Sequence, residues 1–295
     1  MAPRDIDHVV IAVRDLNAAR ETYERLGFTL TPVAYHPFGT ANSPAQMNGS
    51  FLELLAVADP TSISEPSVTR FSFGAFNRDY LKHREGLSML ALQTRDAAAD
   101  RADFEEHQLP VYEPFRFERV AGGPDRTDRT VAFSLTFTSD ARVHGQAGFF
   151  TCQHHFPENF WRSEFQRHLN GATHVASAVF VTRDPADFHE FLTHFTGQHD
   201  MLSTSLHVRF DLGQGSIDVL SPVAFKAYFG EDAGPDPRRF TAYRVAVADL
   251  GTTRGVLATN DVPFVELLGA LVVPSTFAHG AAIAFVADAP RGARF

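Results

Sequence analysis

The sequence predicts an α+β fold built from four similar units, and three observations carry that prediction. A strand-like apolar run, an aspartate and a helix-like segment follow one another four times, with the aspartates at 15, 96, 184 and 249. The helix-like segment is followed by further strand-like runs, so the unit reads strand, helix, then several strands. The chain has 295 residues, 44% hydrophobic and 21% charged, a balance that suits a globular protein with a large core. The intervals of 81, 88 and 65 residues between the aspartates describe loose repeats with variable loops. A single unit would leave one sheet face bare, so pairs are expected to close around a shared interior.

Ile6 to Val13 is a β-branched run with few polar interruptions, as expected of a strand covered on both faces. Asp15 stands where a helix N-cap belongs, and Leu16, Ala19, Tyr23 and Leu26 follow at helical spacing before Gly27 ends the helix. A Pro/Gly-rich passage from His36 to Asn42 leads to Gly49 and a strand from Phe51 to Val57. In the second unit, Leu87 to Thr94 reads as a strand and Ala97 to His107 as a helix. In the third, Val175 to Thr182 is a strand, Asp184-Pro185 opens a helix and Gly197 closes it. In the fourth, Tyr243 to Ala248 is a strand and the helix runs to Asn260. The expected organisation is a first pair of units over 1–157, a linker over 158–172 and a second pair over 173–295. Phe229 to Arg239 is a loop by composition.

Lys and Arg total 26 against 35 Asp and Glu, a formal net charge of −9, and the pI is near 5.8. No surplus of cations is present to displace phosphate counterions, so nucleic acid is not an expected partner. No apolar run approaches the ~20 residues of a membrane span, and no signal-peptide pattern opens the chain. Cys152 is the only cysteine, which excludes an internal disulfide and a four-cysteine zinc site and suits a cytoplasmic protein. The 28 Phe residues, against 6 Tyr and 1 Trp, read either as an aromatic-rich core or as the lining of a hydrophobic cavity. No phosphate-binding loop, dinucleotide glycine fingerprint or G-x-S-x-G elbow is present.

The strand IDHVVIAV, the helix RDLNAARETYERLGF, the loop HPFGTAN and the strand GSFLELLAV together resemble the glyoxalase-like branch of the vicinal oxygen chelate superfamily. The resemblance implies four βαβββ modules paired into two half-open barrels. It also implies a divalent metal, Mn, Fe, Ni or Zn, held inside a barrel by side chains of the first and last strands of each module. His8 stands at the first-strand ligand position and Glu53 at the last-strand position; Glu53 is also the candidate catalytic carboxylate. The residues agree, because a carboxylate in the middle of FLELL is costly to bury unless it is paired or coordinated. A salt bridge from Arg78 or Arg84 is the alternative partner for Glu53.

The second unit departs from the pattern. The residue that corresponds to His8, seven before Asp96, is Met89, a poor ligand for such a metal. Alternation divides its last strand into Phe150, Cys152 and His154 on one face and Phe149, Thr151, Gln153 and His155 on the other. If the Phe150 face packs on a helix, Gln153 and His155 point into the barrel; His155 is therefore the preferred third ligand, with His154 close behind. Cys152 reads as a small buried hydrophobe rather than a nucleophile. In the second pair, Ser177 takes the His8 position and Asp218 mimics Glu53 without an obvious partner. That pair is expected to be structural, which counts against a ring-cleaving dioxygenase with its ligands there.

His36, Thr40 and Asn42 match the family's H-x-x-G-T-x-N-like loop, and the resemblance implies that they orient a substrate oxygen near the barrel mouth, with a local turn as the alternative. Phe76, Asn77 and Arg78 suit a cavity mouth that grips an anion or carbonyl, or else the start of a surface helix. Two functions remain open: a metal-dependent lyase or isomerase acting on a small oxygenated substrate, and a metal-free protein that sequesters a hydrophobic small molecule. A ring-cleavage dioxygenase is a weaker third. Modules of this kind also pair between chains, which leaves a homodimer open.

Overall fold

A computed structural model describes residues 3–121 and 129–288. The first half runs β1 (Ile6–Ala12), α1 (Leu16–Arg25), β2 (Ala34–Tyr35), β3 (Thr40–Gln46), β4 (Phe51–Val57) and α2 (Phe73–Leu81). It continues with β5 (Gly86–Gln93), α3 (Ala97–Glu106), β6 (Phe115–Ala121), β7 (Arg129–Thr138), β8 (Gly148–His154) and α4 (Pro157–Phe160). The second half opens with β9 (Ala172–Val181), α5 (His189–Thr196), β10 (Leu202–Ser203), β11 (His207–Asp211), β12 (Ser216–Leu220) and α6 (Pro222–Phe229). It closes with β13 (Arg239–Val247), α7 (Leu250–Thr259), β14 (Val265–Leu267), β15 (Ala270–Val273) and β16 (Ala282–Ala287).

The strands form two eight-stranded sheets, ordered β2-β3-β4-β1-β5-β8-β7-β6 and β10-β11-β12-β9-β13-β16-β15-β14. Each sheet is two βαβββ modules joined antiparallel through their first strands, β1 with β5 and β9 with β13. The four aspartates act as expected. Asp15, Asp96 and Asp249 each accept two backbone N–H groups at the start of α1, α3 and α7, and Asp184 accepts one at a short 3₁₀ turn before α5. Among the strands that the sequence reading did not name, β3 is the least expected. β3 (TANSPAQ) has no apolar alternation and carries Pro44, yet it pairs with β4 along its whole length. Pro44 is tolerated because β3 has only the two-residue β2 on its other side, where no ladder bond is required of it.

One face of both sheets feeds a single continuous core, with Val9, Leu54, Leu90 and Phe149 from the first and Val175, Phe180, Tyr243 and Phe285 from the second. The concave faces hold two smaller clusters, one around Phe133, Phe137 and Phe150, the other around Val179, Phe225 and Phe229. Polar contacts stitch the halves together. Asn170 donates to the Leu26 carbonyl at 2.9 Å, and the Tyr23 and Tyr243 hydroxyls bond each other at 2.7 Å in full burial. Tyr243→Phe is expected to cost about 1–3 kcal/mol in urea denaturation, because it leaves the Tyr23 hydroxyl buried without a partner. Adding Tyr23→Phe should restore part of that loss; a fully additive double variant would show that the pair is not coupled.

Among the described residues no helix is long and apolar enough to cross a membrane.

Candidate active site

The concave face of the first sheet encloses a cavity lined by His8, His36, Asn42, Glu53, Arg119 and Cys152 among Phe38, Phe51, Phe73, Phe117, Phe133, Leu135, Phe150 and Phe160. Its free volume is about 40 Å³. The aromatic rings pack mainly against one another: Phe117 stacks on Phe133 with centroids 5.2 Å apart, and Phe38 meets Phe115, Phe117 and Phe73 edge-on. Most of the Phe-rich interior is therefore filled by its own side chains.

β1 and β4 run parallel, with Val10 opposite Glu53 and Phe51 opposite His8, so the imidazole and the carboxylate rise from neighbouring strands onto the same face. His8 Nε2 lies 3.6 Å from Glu53 Oε2, and both side chains are buried. The His8 ring stacks on Phe51 at 4.2 Å, which fixes its plane. Asn42 donates its amide N–H to Glu53 Oε1 at 2.6 Å. Neither Arg78 nor Arg84 reaches Glu53, and the charge that faces it is Arg119 on β6.

Asp7 is the residue the sequence reading missed. Regular alternation would turn it away from His8, but β1 carries a bulge there: Ile6 pairs with Leu92 and His8 with the next residue, Ala91, so Asp7 is extra. Its carboxylate contacts His8 Nδ1 at 2.6 Å and His154 Nε2 at 3.1 Å. Burial alone would raise the pKa of Asp7, but the charge of His154 and hydrogen bonds from His154 and His8 outweigh it and hold the group well below the usual carboxylate range. An ionised Asp7 only accepts, so His8 Nδ1 carries the hydrogen and Nε2 is the ring nitrogen that faces Glu53. Asp7, His8 and Cys152 also offer ligand atoms that all lie within 4.8 Å of one another.

The register of β8 reverses the expectation for its two faces. Phe150, Cys152 and His154 face the concave side, while Phe149 joins the shared core behind the sheet. Gln153 instead accepts the Ala97 N–H at the start of α3 and donates to the Arg95 carbonyl, and His155 Nε2 bonds Ser134 Oγ. Neither residue lines the cavity. The helix that covers the concave face is α2, so it packs on the Phe150 side; the condition set from the sequence is met, but the face under the helix is the one that lines the cavity. His154 lies below the cavity floor, bonded to Asp7 and stacked on Trp161.

His36 lines the cavity, and its Nδ1 is bonded to Thr40 Oγ1 at 2.8 Å, which makes Thr40 its support. Burial, then the charges of Arg119 and His8, hold the His36 pKa well below its usual value, so the ring is neutral at pH 7. Phe76 stacks on Phe71 outside the cavity, and Arg78 is engaged by Glu65 and Asp79 at the surface. Asn77 is fully buried between α2 and β5, bonded to the Phe73 carbonyl and Ser88. None of these three residues lines the cavity that holds His8 and Glu53.

Met89 and Phe150 occupy the positions in the second module that His8 and Glu53 occupy in the first, so two of the four symmetric positions carry no ligand. In the second sheet Asp218 lies opposite Val179, as Glu53 lies opposite Val10. It does have partners, contrary to expectation: the Arg244 guanidinium, His207 Nε2 at 2.8 Å and Arg209 at 3.9 Å. Arg244 pairs with Ser177 across β9 and β13, the position that Ala91 takes opposite His8 in the first sheet.

Cys152 is buried, and burial together with the Asp7 and Glu53 carboxylates pushes its thiol pKa well above the ordinary value. The thiol is therefore expected to react with a disulfide reagent at least ~100-fold more slowly in the native protein than in urea. Equal rates would show that the site is open and the thiolate available.

The fold and the cavity define a vicinal oxygen chelate protein. The chain belongs to the glyoxalase-like domain family, whose sequence model matches residues 6–196. No curated protein sequence matches it. Among solved structures, a hypothetical protein from Staphylococcus aureus is similar over 96% of this chain and 98% of its own, with 13% identity and a TM-score of 0.69. A triple mutant of 4-hydroxymandelate synthase from Streptomyces coelicolor aligns with 99% of this chain and 95% of its own at 10% identity and a TM-score of 0.58. The 2,2',3-trihydroxybiphenyl 1,2-dioxygenase of Sphingomonas wittichii strain RW1 aligns with 96% of this chain and 90% of its own at 12% identity and a TM-score of 0.52. At these identities the likeness establishes the fold alone.

Proposed function

We propose that the protein is a metal-dependent enzyme acting on a small oxygenated substrate in the cavity of its first sheet, by lyase or isomerase chemistry. One observation carries the reading: His8 Nε2 and Glu53 Oε2 converge at 3.6 Å, with Nδ1 already committed to Asp7. Two electron-rich atoms held this close in a buried site call for a cation between them, either a proton or a metal ion. The donor set fits a divalent ion. His8 and Glu53 would hold it, Asp7 would orient the imidazole, and the apolar positions at Met89 and Phe150 would leave coordination sites open for substrate oxygens. When bound, the ion supplies Lewis-acid stabilisation of negative charge on a substrate oxygen.

The chain's own residues supply the rest. The Phe cage keeps bulk water out, Asn42 fixes Glu53, and neutral His36 presents a weakly polar ring to the substrate. Glu53 is the carboxylate placed to move a proton next to the substrate oxygen. Sequestration of a large hydrophobic molecule suits the cavity poorly, because the rings fill it. The second sheet is read as structural, since Arg244 already neutralises Asp218. The reading is compatible with a cytoplasmic protein that has one buried cysteine.

The test is elemental analysis of protein purified without chelator, followed by melting with Mn, Fe, Ni or Zn. The expected result is one divalent ion per chain and a rise in melting temperature that chelator abolishes. Metal-free protein whose melting no ion shifts overturns the reading.

A further inference from the structure

Two polar atoms at the cavity have no partner: Arg119 Nε, a donor, and Asn42 Oδ1, an acceptor. The Asn42 amide is turned by its bond to Glu53, so the carbonyl oxygen is the atom left over. The Arg119 side chain makes no hydrogen bond or ion pair among the described residues, although the Glu53 charge faces it. A buried donor and a buried acceptor are both costly to leave unmet, and a guanidinium asks for an anion. The sequence shows how Arg119 arrives there. In FRFERVA the side chains of Phe115, Phe117 and Arg119 alternate onto one face, and the first two pack against Phe38.

The size of the space limits the ligand. At ~10–15 Å³ per water, the free volume of about 40 Å³ holds roughly three waters. A ligand of that bulk has about two to four carbons.

We propose that the cavity selects a small hydroxycarboxylate of about two to four carbons, with Arg119 taking the carboxylate and Asn42 Oδ1 accepting from the hydroxyl. This names the ligand class of the site described above and so rests on that reading for its catalytic meaning, but binding itself is tested without metal. The nearest reporter is Trp161, the sole tryptophan, 5.9 Å from Phe51 of the cavity wall.

The experiment titrates chelated protein with lactate, propionate and 1,2-propanediol, following Trp161 fluorescence and heat of binding, and repeats it after loading with Mn²⁺. Lactate is expected to saturate, with propionate and propanediol at least tenfold weaker because each leaves one polar atom unmet. Arg119→Gln should weaken lactate at least tenfold without weakening Mn²⁺ binding, since the cation it removes faces Glu53; Arg119→Lys, which keeps the charge but lacks the Nε–H, should fall between. The proposal is overturned if lactate fails to bind with or without Mn²⁺, if propionate binds as well as lactate, or if Arg119→Gln binds lactate like the parent. Lactate binding without any Mn²⁺ uptake would sink the metal reading and leave this one standing.

Discussion

Asp218→Ala is expected to destabilise the protein by about 3–5 kcal/mol at pH 7, the largest effect of any single polar substitution in the second sheet. Asp218 is fully buried, and its removal strands the Arg244 guanidinium, which is mostly buried over the Tyr228 and Phe229 rings. The effect depends on pH in a defined direction. Burial alone would raise the pKa of Asp218, but Arg244, His207 and Arg209 outweigh it and hold the group below the usual carboxylate range. A depressed native pKa stabilises the fold above the unfolded-state pKa of ~4, and that contribution is lost as the pH falls toward the native pKa. Urea denaturation at pH 7 and pH 3 should therefore show the gap between parent and variant narrowing at pH 3. A gap unchanged by pH would mean that Asp218 is not charged in the folded protein.

The second large effect concerns the metal. His8 belongs to two donor sets, one with Glu53 through Nε2 and one with Asp7 and Cys152 beneath it. If the ion sits in the cavity, Glu53→Gln is expected to weaken Mn²⁺ or Zn²⁺ binding at least ~100-fold, and Asp7→Asn, which disturbs the imidazole from behind, by ~10–100-fold. Cys152→Ala should leave the affinity within about threefold, since a thiol whose pKa is pushed up by burial and by the Asp7 and Glu53 carboxylates stays protonated and contributes packing only. Titration calorimetry on the three variants decides between the sets. Loss with Cys152→Ala and tolerance of Glu53→Gln would move the ion down to the thiol and deny it to the substrate.

The parts of this molecule legible in the sequence are those set by local rules. The four aspartate caps, the apolar first strands and the repeated unit all follow from patterns a few residues long, and together they gave the paired-module architecture. Where long-range pairing overrides local preference, the letters mislead. β3 has neither strand composition nor alternation and exists because β4 offers it a complete ladder. The face of β8 that turns inward depends on which side α2 packs, which no count of residues could supply.

The site divides along the same line. His8, Glu53 and Asn42 all line the cavity; the resemblance pointed to the three of them, and the cost of burial to Glu53 alone. Asp7 was hidden because a one-residue bulge moves it to the other face, although two polar residues in a row inside an apolar strand are a legible sign of broken alternation. Arg119 was legible as the third member of an alternating Phe-x-Phe-x-Arg run. Arg78, chosen from composition alone, is occupied by carboxylates closer in sequence. An arginine's neighbours decide whether it has a charge to spare.

The two sheets answer the same electrostatic problem in opposite ways. Each lifts an acid from the strand third from its edge into a dry interior, but the second sheet pairs it with Arg244 from β13, two strands away, where the first has the bare methyl of Ala91 and only the Arg119 charge facing its acid from β6. A counter-charge joined to the backbone cannot exchange with solvent. With alanine in its place the first sheet leaves Glu53 facing the cavity, and on the function proposed here that is the room an arriving ion would take.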